Sequence, residues 1–141
     1  MKNLSNGLLT VVVVCLIVLG CSAYRDGKPA AEAQIVEFHS LYGERKFSEL
    51  YSASHEKMKE ASTETEFIDF LTAVESKLGK VTNSRQVNWR VQNFNLESFV
   101  EIIQDTEFEK GRGTETFTFL IEGKDAILVA YFINSNDLIL K

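Results

Sequence analysis

Apolar and polar positions divide the chain into two unequal parts. Residues 8–19 form an apolar run broken only by Thr10, and Lys2 places a positive charge ahead of it. Such a run after a basic residue is typical of a secretory signal peptide. It is shorter than the about 20 apolar residues that a membrane-spanning helix needs, because polarity resumes at Ser22. We therefore interpret residues 1–20 as a signal peptide that is cleaved.

The end of this run resembles the bacterial lipoprotein box, in which aliphatic and small residues precede an obligatory cysteine. Here these residues are Val18, Leu19, Gly20 and Cys21. The resemblance implies a diacylglycerol thioether on Cys21, a further acyl chain such as palmitate on the new amino terminus, and export to the cell envelope. Ser22 takes the place of the aspartate that retains lipoproteins in the inner membrane, which implies the outer membrane if the organism has one. An uncleaved anchor and an unlipidated secreted protein are the alternatives.

Downstream, a polar tether, residues 21–28, leads into one domain, residues 29–141. The first half of this domain has apolar residues three or four positions apart, which predicts amphipathic helices. The first helix is predicted to begin at Pro29 and to end near Gly43, and a shorter one covers residues 46–51. The stripe of the first helix consists of Ile35, Phe38, Leu41 and Tyr42.

The third helix has the clearest signals. Thr63 and Glu66 form a capping box ahead of its apolar stripe, and Gly79 stands where the helix is expected to end. A single helical turn is predicted before it, over residues 55–59. The stripe consists of Phe67, Phe70, Leu71, Val74 and Leu78.

The second half of the domain changes to a two-residue alternation, which predicts strands. Short turns containing glycine join the last strands, so these are expected to pair antiparallel. The predicted strands cover residues 81–91, 96–108, 114–121 and 126–133, with turns at 110–113 and 122–125.

Three helices followed by four antiparallel strands predict an α+β fold in which the sheet curls around the first and third helices. This order is similar to the cystatin-like, nuclear-transport-factor-like cone, and to small secreted bacterial domains of unknown function with that fold. The resemblance implies three N-terminal helices packed on a curved four-stranded antiparallel sheet, and it implies nothing about activity. The residues that carry it are Phe38, Gly43, Phe47, Leu50, Tyr51, Phe67, Leu71, Leu78, Gly79, Lys80, Glu115, Phe117 and Phe119.

The last strand is apolar on both faces, so both faces must be covered. Phe119 and Tyr131 are expected to face the helices. Strict alternation then points Leu120, Leu128 and Phe132 away from them. Because a contiguous exposed apolar patch usually marks an interaction surface, we predict that this outer face binds a second copy of the chain or an envelope protein. The alternative is shielding by long neighbouring side chains.

The net charge of the mature chain argues against some classes of partner. Lys2 is the only charged residue of the signal peptide, so the mature chain keeps 14 of the 15 basic residues and all 20 acidic ones, a net charge of −6. No cluster of Lys and Arg offsets this balance, which argues against nucleic acid. With Cys15 removed and Cys21 acylated, no cysteine is left for a disulfide. Membrane attachment is therefore predicted to rest on the acyl chains.

Signs of chemistry are few. His39, Trp89 and Tyr131 are candidates for lining a pocket between the helices and the sheet. The competing interpretations are a histidine at the edge of a helix stripe and aromatic residues of an ordinary core. Zinc-ligand spacing, nucleophile motifs and cofactor fingerprints are missing from the sequence, so we predict no catalytic residue, metal or cofactor. The favoured function is a non-catalytic binding or assembly module of the envelope. The alternative is a small-ligand carrier or an enzyme that uses the concave pocket.

Overall fold

The computed structural model describes residues 27–140 of the chain. The predicted signal peptide, residues 1–20, and Cys21 lie outside the described residues. The described part is an α+β structure with five helices and a four-stranded antiparallel sheet. Within residues 27–140, no helix combines the length and the apolar character needed to cross a membrane.

Helix α1 covers residues 27–43 of the described chain, and its apolar stripe is buried as predicted at Phe38 and Tyr42. It includes residues 27 and 28, which the sequence analysis assigns to the tether. Gly27 is buried, and a Cβ there would lie 3.3 Å from Cγ1 of Ile121. The helix therefore includes residues before Pro29 and packs on the sheet from residue 27 onward.

Two short helices follow, α2 (Phe47–Ala53) and α3 (Glu56–Ala61). Both lie within a few residues of their predicted positions. His55 caps α3, because its Nδ1 accepts a hydrogen bond from the Lys57 N–H at 3.1 Å. This side chain thus has a local structural role.

Helix α4 (Glu64–Leu78) has the predicted ends. The Thr63 hydroxyl accepts from the Glu66 N–H at 3.3 Å, and the Glu66 carboxylate accepts from the Thr63 N–H at 2.8 Å, which is the reciprocal capping box. Gly79 ends the helix at φ 78°, a left-handed conformation that glycine adopts without strain. The stripe is buried as predicted except at Phe70, which is partly exposed.

The four strands lie in the sheet in chain order, and each pairs antiparallel with the next. All three connections are two-residue turns, and the predicted turn at 110–113 is shorter because the third strand already begins at residue 111. The strands are β1 (Val81–Phe94), β2 (Glu97–Phe108), β3 (Gly111–Glu122) and β4 (Asp125–Asn134).

One face of the sheet shares a core with the helices. The Phe117 ring of β3 lies 5.1 Å from the Phe38 ring of α1 and 5.1 Å from the Tyr131 ring of β4, and Phe70 of α4 lies 6.1 Å from Tyr131. A fully buried side chain of this size contributes about 1.5–3 kcal/mol to folding. The buried apolar residues of this face are Val100, Ile102, Phe108, Phe117, Phe119, Ala126, Leu128 and Ile133.

Strand β4 departs from strict alternation. Thr118 pairs with Ala130, whereas the next residue, Phe119, pairs with Leu128, so Val129 is an extra residue in a β-bulge. The bulge reverses the alternation, and Leu128 consequently joins the core. The prediction that Leu128 points to the outer face is therefore wrong.

The outer face is also less apolar than predicted. Leu120 lies on it between its strand neighbours Phe99 and Ile127, but is only 3% exposed. Phe132 is 63% exposed and lies opposite Thr116. The exposed apolar area around Phe132 is thus smaller than the continuous patch that alternation predicts.

A fifth helix, α5 (Asn136–Leu140), follows β4 and was not predicted. The Asp137 carboxylate accepts from the Arg112 N–H at 3.1 Å, and the Ser135 hydroxyl donates to the Arg112 carbonyl at 2.5 Å. These bonds hold α5 against the end of the sheet where β2 turns into β3.

Candidate functional site

A group of polar side chains is buried on the core face of the sheet. Glu115 of β3 is 1% exposed, and it shares a face with Phe117 because side chains alternate along a strand. Its neighbours across the sheet are Gln104 of β2 and Ile133 of β4. A carboxyl group in this position has lost its water and needs hydrogen bonds from protein groups.

Three side chains supply these hydrogen bonds. His39 Nε2 lies 2.8 Å from Glu115 Oε2, the Tyr131 hydroxyl donates to Oε1 at 2.8 Å, and the Thr106 hydroxyl donates to Oε2. An ionised carboxylate only accepts hydrogen bonds, so the His39 Nε2 carries a hydrogen in that state. We call these four residues the Glu115 cluster.

Helix α1 positions His39 for this contact. The residue follows Phe38 at the edge of the apolar stripe, its side chain is 14% exposed, and its ring meets Phe117 edge-on at 5.8 Å. His39 therefore faces the sheet, although it stands at the border of the stripe. From the sequence, His39 was either a pocket residue or a histidine at the edge of the helix stripe. Each of these interpretations describes part of its position.

A second set of polar groups extends from the cluster to the edge strand β1. The Ser84 hydroxyl donates to Gln104 Oε1 at 2.8 Å and lies 2.9 Å from the Thr106 hydroxyl. Gln86 stands opposite Gln104, and its buried Oε1 has no hydrogen-bond partner within residues 27–140. The polar row thus connects the buried carboxyl group with the edge of the sheet.

The environment of Tyr131 keeps its hydroxyl protonated. Burial, followed by the nearby Glu115 carboxylate and its hydrogen bond, raises the pKa of Tyr131 well above its ordinary value of 10.0. Burial and then the charge of Glu75 also raise the pKa of Tyr42, whose hydroxyl donates to the Gly79 carbonyl at 3.1 Å. Tyr131 is consequently a neutral hydrogen-bond donor at physiological pH.

These shifts predict a loss of stability in alkaline solution. Below about pH 10 both folded and unfolded chains keep the Tyr131 proton, but above it only the unfolded chain releases the proton. The free energy of unfolding should therefore fall by about 1.4 kcal/mol per pH unit for each such tyrosine. We expect the free energy of unfolding of Tyr131→Phe to fall less steeply with pH than that of the wild-type protein, by about 1.4 kcal/mol per pH unit. Urea denaturation between about pH 10 and pH 11 measures this difference. Equal slopes for wild-type and variant proteins would contradict the shift.

Trp89 does not join the cluster. It stands in the same row as Tyr131, but Ile102 and Phe117 lie between them. Three strand spacings separate the two backbone positions by about 14 Å. The Trp89 ring instead lies 5.3 Å from the Lys28 ammonium. Of the three predicted pocket residues, the structure thus brings only His39 and Tyr131 together.

The Glu115 cluster is surrounded by packed side chains. The Phe38 ring lies 4.7 Å from the Tyr131 ring. The Phe117 ring lies 5.1 Å from Tyr131 and 5.8 Å from His39. Such an arrangement holds the carboxyl group of Glu115 in place.

No group of three His, Cys, Asp or Glu side chains in residues 27–140 is arranged to hold a metal ion. A polar concavity of about 500 Å³ lies near α5, and its basic residues are paired. Arg85 lies 3.4 Å from Asp105, and Arg112 lies 2.9 Å from Glu107. These pairs leave no excess positive charge for an anion.

Glu115 is not one of the site residues predicted from the sequence. It is only among the residues that carry the fold resemblance. A usable signal was present, because Glu115, Phe117 and Phe119 are spaced by two, and a strand with two buried phenylalanines places the third residue on the buried face.

No family model, no curated protein and no solved structure matches this chain.

Proposed function

We propose that the chain is a lipid-anchored protein of the cell envelope whose domain is a non-catalytic binding or assembly module. The observation that carries this proposal is the filled core face of the sheet. Glu115 already has three donors, and the rings of Phe38 and Phe117 pack beside Tyr131. A domain with this interior binds its partners through its surface.

For the architecture, we propose the cystatin-like, nuclear-transport-factor-like cone, with the sheet curled around α1 and α4. The chain order of helices followed by a four-stranded meander supports this arrangement. The contacts of Phe38 and Phe70 with Tyr131 also support it, because they bring α1 and α4 to the same face of the sheet.

The proposed location rests on the lipoprotein box at residues 18–21. Acyl chains on Cys21 attach the protein to the envelope, and Ser22 directs it to the outer membrane if the organism has one. More than one chain is needed for stable anchoring, since each buried methylene contributes about 0.8 kcal/mol.

Replacing the acylated cysteine tests this location. We expect Cys21→Ser to leave the protein unacylated and uncleaved, because a serine oxygen cannot replace the thiol as the acceptor. Mass spectrometry of the amino terminus should show lipid on Cys21 only in the wild-type protein. A wild-type protein without lipid, or one that begins at another residue, would refute the proposed anchoring.

We propose that the outer face around Phe132 is the interface of a homodimer, or of a complex with an envelope protein. Phe132 is 63% exposed, and Ala130 beside it is exposed too. Phe132→Glu should convert a dimer into a folded monomer, because it places an unpaired charge in the interface. Light scattering at tens of micromolar protein measures this change.

Val36→Glu is the matched control, because Val36 is 72% exposed on α1 and receives the same charge on a different surface. It should leave the oligomeric state unchanged. A monomeric wild-type protein would exclude the homodimer, and equal effects of both variants would mean that the outer face is not the interface.

A small-ligand carrier or enzyme that uses the core face is the second candidate. Two observations favour it: His39 faces inward on Glu115 beside Tyr131, and the buried Gln86 Oε1 has no hydrogen-bond partner in the described part of the chain. A small molecule retained by the purified protein in native mass spectrometry would favour this candidate over the binding module.

A further inference from the structure

The end of the β1–β2 hairpin carries two apolar side chains that the fold does not bury. Leu96 is fully exposed, and Phe94 is 67% exposed. We call residues 94–96 the hairpin tip. No contribution to the core explains these two residues.

Backbone conformation does not explain the leucine either. Asn95 and Leu96 have φ values of 50° and 67°, so both adopt the left-handed conformation. A two-residue hairpin turn of this kind favours Asn followed by Gly, because glycine alone avoids the clash of Cβ at the second position. A strained and fully exposed leucine is unfavourable for folding. We therefore infer that the Leu96 side chain makes a contact outside the domain.

The hairpin tip lies at the end of the domain where the described chain begins. A Cβ on Gly27 would lie 3.3 Å from Cγ1 of Ile121 and 3.5 Å from Cγ2 of Val100. Ile121 pairs with Ser98, two residues from the tip. From Val100 the strand continues about 14 Å to Leu96, so the tip extends beyond the first described residues.

Cys21 precedes Gly27 by six residues, and six extended residues span at most about 20–22 Å. Acyl chains on Cys21 therefore hold this end of the domain near the bilayer. The far end, where Ile139 of α5 is 78% exposed, lies about 35–40 Å away, because the 12 residues of β2 separate the two ends. The apolar side chains of the hairpin tip are therefore within reach of the lipid surface, and Ile139 is not.

An ion pair lies beside the tip. Glu97, which follows the tip, forms an ion pair with Lys57 at 3.2 Å. The chemistry of the tip thus suits the boundary between headgroups and acyl chains and requires no anionic headgroup.

We propose that the hairpin tip inserts Phe94 and Leu96 into the leaflet that holds the acyl chains of Cys21, so that the domain stands end-on with α5 away from the membrane. This inference rests on the proposed lipidation of Cys21. It adds a second membrane contact, made by the folded domain itself.

Tryptophan fluorescence in vesicles tests the orientation. The full-length protein is produced with its own signal peptide, purified and reconstituted in phosphatidylcholine vesicles that contain nitroxide-labelled phosphatidylcholine. Leu96→Trp reports on the tip, and Ile139→Trp is the matched control at the far end. The wild-type protein supplies the background signal of Trp89. The indole introduced at the tip should lie about 5–10 Å inside the headgroup boundary and be quenched severalfold more strongly than the indole introduced on α5.

Hydrogen exchange of the wild-type protein tests the same orientation without an added tryptophan. Reconstitution in vesicles should slow exchange in the peptide that contains the hairpin tip and leave exchange in the α5 peptide unchanged. A protein without acyl groups would overturn the lipoprotein proposal and the orientation together. An acylated protein with equal quenching at the two positions, or with no slowing at the tip, would overturn the orientation alone.

Discussion

Glu115→Ala is expected to lower the free energy of unfolding by about 3–5 kcal/mol, because it removes the acceptor of a buried charged or strongly polar cluster. His39, Thr106 and Tyr131 would each lose a hydrogen bond. Urea denaturation of the wild-type and variant proteins measures the difference.

Two controls separate the buried carboxyl group from acidic residues in general. Glu115→Gln keeps the shape and one acceptor oxygen, and it should cost about 1–3 kcal/mol, because its amide hydrogens face other donors. Asp105→Ala removes an exposed partner of Arg85 on the outer face and should change stability by less than about 1 kcal/mol. If Glu115→Ala lowers the free energy of unfolding no more than Asp105→Ala does, the Glu115 cluster does not stabilise the fold.

Phe117→Ala should also cost about 3–5 kcal/mol, as expected for a large-to-small change in a packed core. Its side chain is 0% exposed and contacts the rings of Phe38, Phe119 and Tyr131, with centroids 5.1–6.2 Å away. The variant would leave a cavity at the centre of the core, between α1 and the sheet.

Phe132→Ala is the matched control, because it removes the same side chain from the neighbouring strand on the opposite face. Phe132 is 63% exposed, so its removal should change the stability of the monomer by about 0.5 kcal/mol or less. Equal losses in the two variants would mean that the faces of β3 and β4 are assigned incorrectly.

Most of the helix and strand positions could be predicted from the sequence. Helix α4 is the clearest example, because Thr63, Glu66 and Gly79 determine its ends by hydrogen bonds to residues at most four positions away. The strands after Gly79 follow from their two-residue alternation and from the predicted turns at 110–113 and 122–125, which the structure places at 109–110 and 123–124. Helix α5 was missed, because its contacts are with Arg112, which is distant in sequence.

The candidate site could be predicted only in part. His39 and Tyr131 were named as pocket residues, but nothing in their local sequence indicates that they share a partner. That partner, Glu115, lies 76 positions from His39. Trp89 was also predicted as a pocket residue, but it lies on β1, at the opposite edge of the sheet from Tyr131 on β4.

The sequence by itself determined the local elements, because helix caps, turn residues and side-chain periodicity act over a few residues. Only the tertiary structure decided which side chains meet. The bulge at Val129 arises in the pairing of β4 with β3, and it moves Leu128 from the expected outer face into the core. The contact of His39 with Glu115 likewise exists only once α1 packs on the sheet. Strand register and helix packing join distant residues, and the local pattern of either segment alone does not specify them.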